Sequence, residues 1–291
     1  MQLISILLSS ILILIIAFHR TLRTIPNLLT VNSILAIFMY ALILIAQLIA
    51  GLQSINKEKE DICIFLSYFT AVAADAICYS YLVTAISQYF FNILYRRKYL
   101  LTFRTHWTII FISWFISCLV PLLLRFPSKY TSLREVTYIY VSTILDILQY
   151  SPEMHMCFLK LSIQWITFCY MGIAAGIPYF GIIIIYRYIV RHTRRINSMA
   201  IATTATETAL NRDLRVLKNI LTLIGILGTA GLPNLILLIW NALSPGQAPV
   251  PLYLLCTLTI SFCTNIQISF IFIMNKKAKD IFWNHIRRIF Y

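Results

Sequence analysis

The stretch ICIFLSYFTAVAADAICYSYLVTAISQYFF (residues 62–91) runs from Ile62 to Phe91 with Asp75 as its single formal charge, and Arg96, Arg97 and Lys98 follow directly after it. About twenty consecutive apolar residues cross the hydrocarbon of a bilayer as a helix, and neither a strand nor an ordinary buried helix needs so long a run. Read outward from this segment, the chain repeats the pattern. Apolar runs of spanning length extend from Leu3 to Phe18, Asn27 to Leu52, Trp107 to Leu124, Leu161 to Tyr186, Val216 to Leu243 and Leu252 to Met274, each closed by a polar or charged break. An eighth stretch, Val136 to Tyr150, is shorter, contains Asp146 and is rich in Tyr, Val, Ile and Thr. A β-hairpin or a short amphipathic cap over the membrane face suits it better than a span.

Composition agrees with a lipid solvent. The 291 residues are 60% hydrophobic and only 12% charged, with a mean hydropathy of +0.81, where soluble domains carry about twice that charged fraction. A disordered tail, a disulfide-rich secreted module and an ordinary cytosolic enzyme are thereby excluded. The net charge of +14 would suggest nucleic acid in a soluble protein. In a multi-span chain its use is topological, because Lys and Arg accumulate on the cytoplasmic side. With seven spans and an outer N-terminus, the inner segments hold Arg20 and Arg23, then Arg96, Arg97, Lys98 and Arg104, then Arg187 to Lys218, then Lys276 to Arg288, and charges on the outer segments cancel. An extra span at Val136 to Tyr150 would split these bases between the two sides. The first span lacks a basic n-region and a cleavage site, so it reads as a retained helix and not a signal peptide.

The expected fold class is therefore an all-α membrane protein, a seven-transmembrane helix bundle over residues 1–274 followed by a short amphipathic eighth helix over 275–291 on the cytoplasmic side. In that last segment Ile281, Phe282, Ile286, Ile289 and Phe290 fall near helical spacing, opposite Lys276, Lys277, Lys279, Arg287 and Arg288, which suits a helix lying on an anionic inner leaflet. The chain has no Walker loop, no H-E-x-x-H, no C-x-x-C, no paired carboxylates in a span and no repeat across its halves. Enzyme, metal-site and pump readings lose their usual support, and neither a catalytic residue nor a cofactor is expected.

Seven cysteines are scattered. Cys78, Cys118, Cys169, Cys256 and Cys263 lie in apolar spans, where packing is sufficient explanation. Cys63 starts the third span at the outer face and Cys157 lies in the second outer loop, in an oxidising compartment. A bridge would pin that loop to the helix; two unrelated thiols are the alternative.

Seven spans with an outer N-terminus, and Cys63 and Cys157 so placed, resemble the rhodopsin-like G protein-coupled receptors along nearly the whole chain. Leu22 to Asn32 (LRTIPNLLTVN) is similar to the family's first inner loop and the start of its second helix. Trp114 looks like its fourth-helix tryptophan, Pro178 with Tyr186 like its fifth-helix pair, Pro233 like its sixth-helix proline, and Asn275 to Phe282 like its short eighth helix. Departures fall on the switch: the Asp-Arg-Tyr triplet falls on Ser87-Gln88-Tyr89, the second-helix sodium aspartate on Ile37, the sixth-helix tryptophan on Gly231, and the Asn-Pro-x-x-Tyr motif on Gln267 to Ile271.

The resemblance implies an extracellular ligand in the outer half of the bundle, with Thr70, Asp75, Gln164, Tyr170, Asn234, Tyr253 and Thr257 as its lining and Trp165 at the rim. Charged residues in the long outer loop, from Arg125 to Glu153, lean toward a peptide. It also implies an inner cleft near Gln88, Tyr89, Arg96, Arg97, Tyr186, Arg215 and Lys218 that accepts a heterotrimeric G protein. Membrane lipids are the other partner, nucleic acid is not one, and the expected location is the plasma membrane, multi-pass, with the C-terminus cytoplasmic. Asp75 merits singling out on physical grounds alone, since a carboxylate deep in a span must face the bundle and find a partner. Pro178 and Pro233 can kink their helices, and Gly225, Gly228 and Gly231 offer a small-residue face for close helix approach. Two other classes are compatible with the pattern. A seven-helix ligand-gated chemoreceptor channel subunit has its N-terminus inside, and a partner receptor that does not itself signal would explain Gln88.

Overall fold

The computed structural model describes residues 2–19, 22–52, 60–95, 97–123, 148–151, 156–159, 169–199, 222–223, 225–237, 239–240 and 249–290. Among them the chain is helical apart from one hairpin. In order these are α1 (Gln2–Phe18), α2 (Ile25–Leu52), α3 (Glu60–Asn92), a 3₁₀ turn at Lys98–Leu101, α4 (Phe103–Leu123), β1 (Leu148–Ser151), β2 (Met156–Leu159), a π-helical turn at Gly172–Gly176 leading into α5 (Ile177–Met199), α6 (Gly225–Leu237), α7 (Val250–Met274) and α8 (Lys276–Phe290).

Five of these segments are long and apolar enough to cross a membrane: Ile25–Ala50, Phe65–Asn92, Phe103–Leu122, Cys169–His192 and Pro251–Met274. Two further helices, Gln2–Phe18 and Gly225–Leu237, are apolar but shorter. Helices suit this sequence because every backbone N–H and C=O is satisfied within the segment, which hydrocarbon demands. Several serines and threonines in the helices take the same course. Ser10, Thr30, Thr84, Thr108, Ser117, Thr229 and Thr259 each donate to the carbonyl four residues earlier, so their hydroxyls add no unpaired donor.

The helices pack around α3, against which α2, α4 and α5 all lie, while α1 sits between α2 and α7. The main core joins Leu12 of α1, Ile34 and Ile37 of α2, Ala73, Ile77 and Ala85 of α3, Ile182 and Tyr186 of α5, Ile268 and Ile271 of α7 and Ala278 of α8. Cross-helix contacts fix the directions. Tyr68 meets Cys118 and Phe91 stacks on His106, so α3 and α4 are antiparallel. Gln47 reaches Thr70, so α2 opposes α3. Tyr89 meets Tyr188 while Tyr170 meets Asp75, so α5 runs with α3, and Asn275 at the end of α7 reaches Asn27 at the start of α2. Arg23, Arg97, Lys98, Arg104, Arg187, Arg191, Lys276, Lys277 and Lys279 consequently lie at one end of the bundle, as the reading of the bases requires.

Several boundaries differ from expectation for local reasons. The fifth helix does not stop at Tyr186 but continues to Met199, because the stretch from Arg187 onward contains neither Gly nor Pro and its four arginines are good helix formers. Of the stretch read as hairpin or cap, Leu148 to Tyr150 form most of β1, paired antiparallel with Met156–Leu159 in the register Tyr150 to Cys157; residues 136–147 lie outside the described residues. The hairpin rests on α3 and α2. Helix α8 turns off α7 at Asn275, whose side-chain oxygen accepts from the Ala278 N–H and caps the new helix. Buried Ala278 and the edge-on contact of Phe282 with Phe272 hold its apolar side to the bundle.

Candidate functional site

Three places in the bundle carry the polar groups that sequence singled out. The first lies between α2 and α4. Trp114 Nε1–H donates to Asn32 Oδ1 at 2.8 Å, a bond between spans that gives the indole its partner in an apolar setting. Asn32 is buried, and its Nδ2 has no hydrogen-bond partner among the described residues.

The second lies where α3 meets the π-turn. Asp75 is 3% exposed, and the Tyr170 hydroxyl donates to its Oδ1 at 3.3 Å; among the described residues Oδ2 has no partner. Tyr170 packs with Val120 of α4 and Ala174 of the π-turn. A π-turn replaces i→i+4 bonds by i→i+5 bonds and leaves a carbonyl for an outside donor. Tyr79, one turn after Asp75, supplies one by donating to the Ile173 carbonyl at 2.9 Å. The aspartate thus faces the interior with a partner, as cost demands.

The third is a cavity of about 440 Å³ near mid-bundle. Its wall is built from Tyr40 of α2, Ala74, Ile77 and Cys78 of α3, Gly176 of the π-turn, Pro178, Tyr179 and Ile182 of α5, the 227–235 face of α6, and Ile260, Cys263, Thr264 and Gln267 of α7.

The seven expected ligand residues do not converge on that cavity. Asn234 lines it. Thr70 instead accepts from Gln47 at 2.9 Å, between α2 and α3, and Asp75 and Tyr170 pair with each other on the α4 side. Tyr253 packs with Leu237, Leu252 and Cys256 between α6 and α7, while Thr257 turns its hydroxyl to the Tyr253 carbonyl. Gln164 and Trp165 lie outside the described residues. Tyr40, Cys78, Tyr179 and Gln267 line the cavity without having been expected there. Only Gln267 gave a signal, as a carboxamide within a spanning segment, close to Thr264 and Asn265.

At the basic end, Tyr89 and Tyr186 join the same apolar cluster, and the buried Tyr186 hydroxyl has no partner among the described residues. Gln88 is half-buried, and Arg97 is exposed with a long contact to the Tyr99 hydroxyl at 3.4 Å. Arg96, Arg215 and Lys218 lie outside the described residues. Ile37, on the position of the family's sodium aspartate, is fully buried in apolar core. Of the three small residues on α6, only Gly228 serves close approach, since a Cβ there would meet the Tyr179 hydroxyl at 3.5 Å, while Gly225 and Gly231 open onto empty space.

The chain matches no model of a known protein family, and no curated protein is similar to it.

The described Cys78, Cys118, Cys169, Cys256 and Cys263 are free thiols. Cys63 and Cys157 sit on neighbouring elements, α3 and β2, with side chains outside those described. Among the described residues no three His, Cys, Asp or Glu side chains group as metal ligands would.

Proposed function

We propose that this chain is a plasma-membrane receptor of the rhodopsin-like, G protein-coupled kind, with seven crossings, an outer N-terminus and a cytoplasmic α8. An extracellular ligand binds one helix arrangement more tightly than another and so shifts the population toward an inner-open form. Gln88, Tyr89 and Tyr186, with the basic segments beside them, then face the α subunit of a heterotrimeric G protein. The supporting observation is the gathering of bases from four separate segments at one end of the helical bundle, which suits a cytoplasmic face and leaves a cationic surface for an intracellular partner. The Trp114–Asn32 bond and the hairpin against α3 agree with the resemblance. On this reading Cys63 and Cys157 form a bridge that ties the hairpin to α3, and the outer loop's charges favour a peptide ligand.

Gln88 favours a second reading, a partner receptor that has lost its own coupling. One experiment separates the two. Nucleotide exchange on a panel of G protein α subunits is measured in membranes bearing the wild type or Gln88→Arg. The receptor reading predicts exchange above background for the wild type and an increase on the order of tenfold for Gln88→Arg, a coupling of ordinary allosteric size. A silent wild type with an active variant supports the partner reading. Background exchange for both, with both at the cell surface, contradicts G protein coupling altogether.

A further inference from the structure

The mid-bundle cavity is bordered by a buried polar side chain that the described residues leave unmatched. Gln267 is 1% exposed, lines the cavity, and among the described residues neither its Oε1 nor its Nε2 has a hydrogen-bond partner. A buried carboxamide offers two donors and an acceptor, and leaving them all unmade is costly. The rest of the wall is mostly aliphatic, relieved by Tyr40, Tyr179, Asn234 and Thr264, and carries no formal charge. Its size falls within the range of small-molecule sites, about 300–1,000 Å³. A peptide terminus or an amine would bury an unpaired charge there, at prohibitive cost.

The cavity also has a side opening. Tyr179 on α5 and Leu232 and Leu235 on α6 line it and yet are 39%, 55% and 50% exposed. Their outer surface lies at mid-bundle depth, where the medium around a spanning helix is hydrocarbon. A solute that reaches this mouth is one that partitions into lipid.

We propose that this cavity binds a small, uncharged, lipophilic molecule bearing one group that both donates and accepts hydrogen bonds, such as a medium-chain alcohol or primary amide, which arrives from the bilayer between α5 and α6 and pairs with Gln267. The site needs only the bundle, so it stands whether or not the chain couples to a G protein, and its test is read as binding.

The probe is a medium-chain alcohol carrying a diazirine, photolysed with the purified full-length chain in lipid nanodiscs, and the labelled positions are mapped by mass spectrometry. Labelling is expected to saturate, to centre on the α5, α6 and α7 walls, and to be displaced by the unlabelled alcohol. Gly231→Phe, which fills open space, should abolish the displaceable fraction. Gln267→Leu, close in volume, should weaken apparent affinity about tenfold, the worth of the lost hydrogen bonding. Labelling that rises without saturation and spreads over outward positions such as Leu14, Phe111 and Leu258 would mean bilayer solution or lipid chains in the cavity, and would overturn the proposal. So would displaceable labelling that both variants leave intact. If Gly231→Phe fails to fold, the wild-type map with Gln267→Leu decides.

Discussion

Trp114→Ala is expected to lower stability by about 3–5 kcal/mol, the usual cost of truncating a large packed aromatic, and to remove most of the protein from the cell surface. The indole packs against the main core and the Leu29–Val83–Ile110 cluster, so its loss opens space at the junction of α2, α3 and α4. It also strips Asn32 of its partner; since Nδ2 is already unpaired, the buried amide would then have none. Trp114→Phe keeps much of the volume but not the bond, and should cost about 1–3 kcal/mol, the penalty for an unsatisfied buried polar group. Thermal unfolding of purified protein in detergent checks both values. Equal, small effects would mean that the indole N–H and the packing contribute little.

The second large effect concerns Asp75 and Tyr170. Tyr170→Phe leaves the carboxyl buried with neither oxygen paired, and should cost about 3 kcal/mol or more, the upper end for an orphaned polar group. Asp75→Asn should cost much less, because an amide can still accept from the Tyr170 hydroxyl and its desolvation is cheaper. Changing both together, Tyr170→Phe with Asp75→Leu, should recover most of the loss, since a pair replaced by apolar groups of similar shape is often nearly neutral. The ordering of these three unfolding midpoints is the test. A double variant as unstable as Tyr170→Phe would show that the damage comes from shape and not from the orphaned carboxyl. An Asp75→Asn protein that folds but no longer responds to ligand would assign the aspartate to the switch.

Much of the fold was legible because its signals are coarse. Runs such as Asn27 to Leu52 are too long and too apolar for another solvent, and the Arg and Lys breaks between them need only be counted by side. The Tyr, Val, Ile and Thr content that suggested a hairpin or a cap belongs to Val136 to Tyr150, of which only Leu148 to Tyr150 are described; the strand they pair with, Met156–Leu159, lies beyond that stretch, and β-propensity does not locate a turn. The site was legible in composition and illegible in phase. A span that is apolar on every face gives no moment to say which way a residue points, so Thr70 and Asp75 were assigned to one cavity although α2 claims the first and the α4 side the second. The π-turn at Gly172–Gly176 adds to the difficulty, because an i→i+5 turn rotates everything beyond it by about one residue relative to an ideal helix. Cavity residues such as Tyr179 lie just past that turn. Gln267 carries a signal in the sequence only as a departure from a motif, which says nothing of the cavity it lines.

On the proposed function the bundle crosses the membrane an odd number of times, with its basic end in the cytoplasm. Epitope tags fused to both termini and probed in intact and then permeabilised cells test it directly. An N-terminal tag stained in intact cells, with a C-terminal tag stained only after permeabilisation, is the predicted result. Both tags on one face of the membrane would contradict it, and an N-terminus inside with the C-terminus outside would favour the inverted channel-subunit architecture.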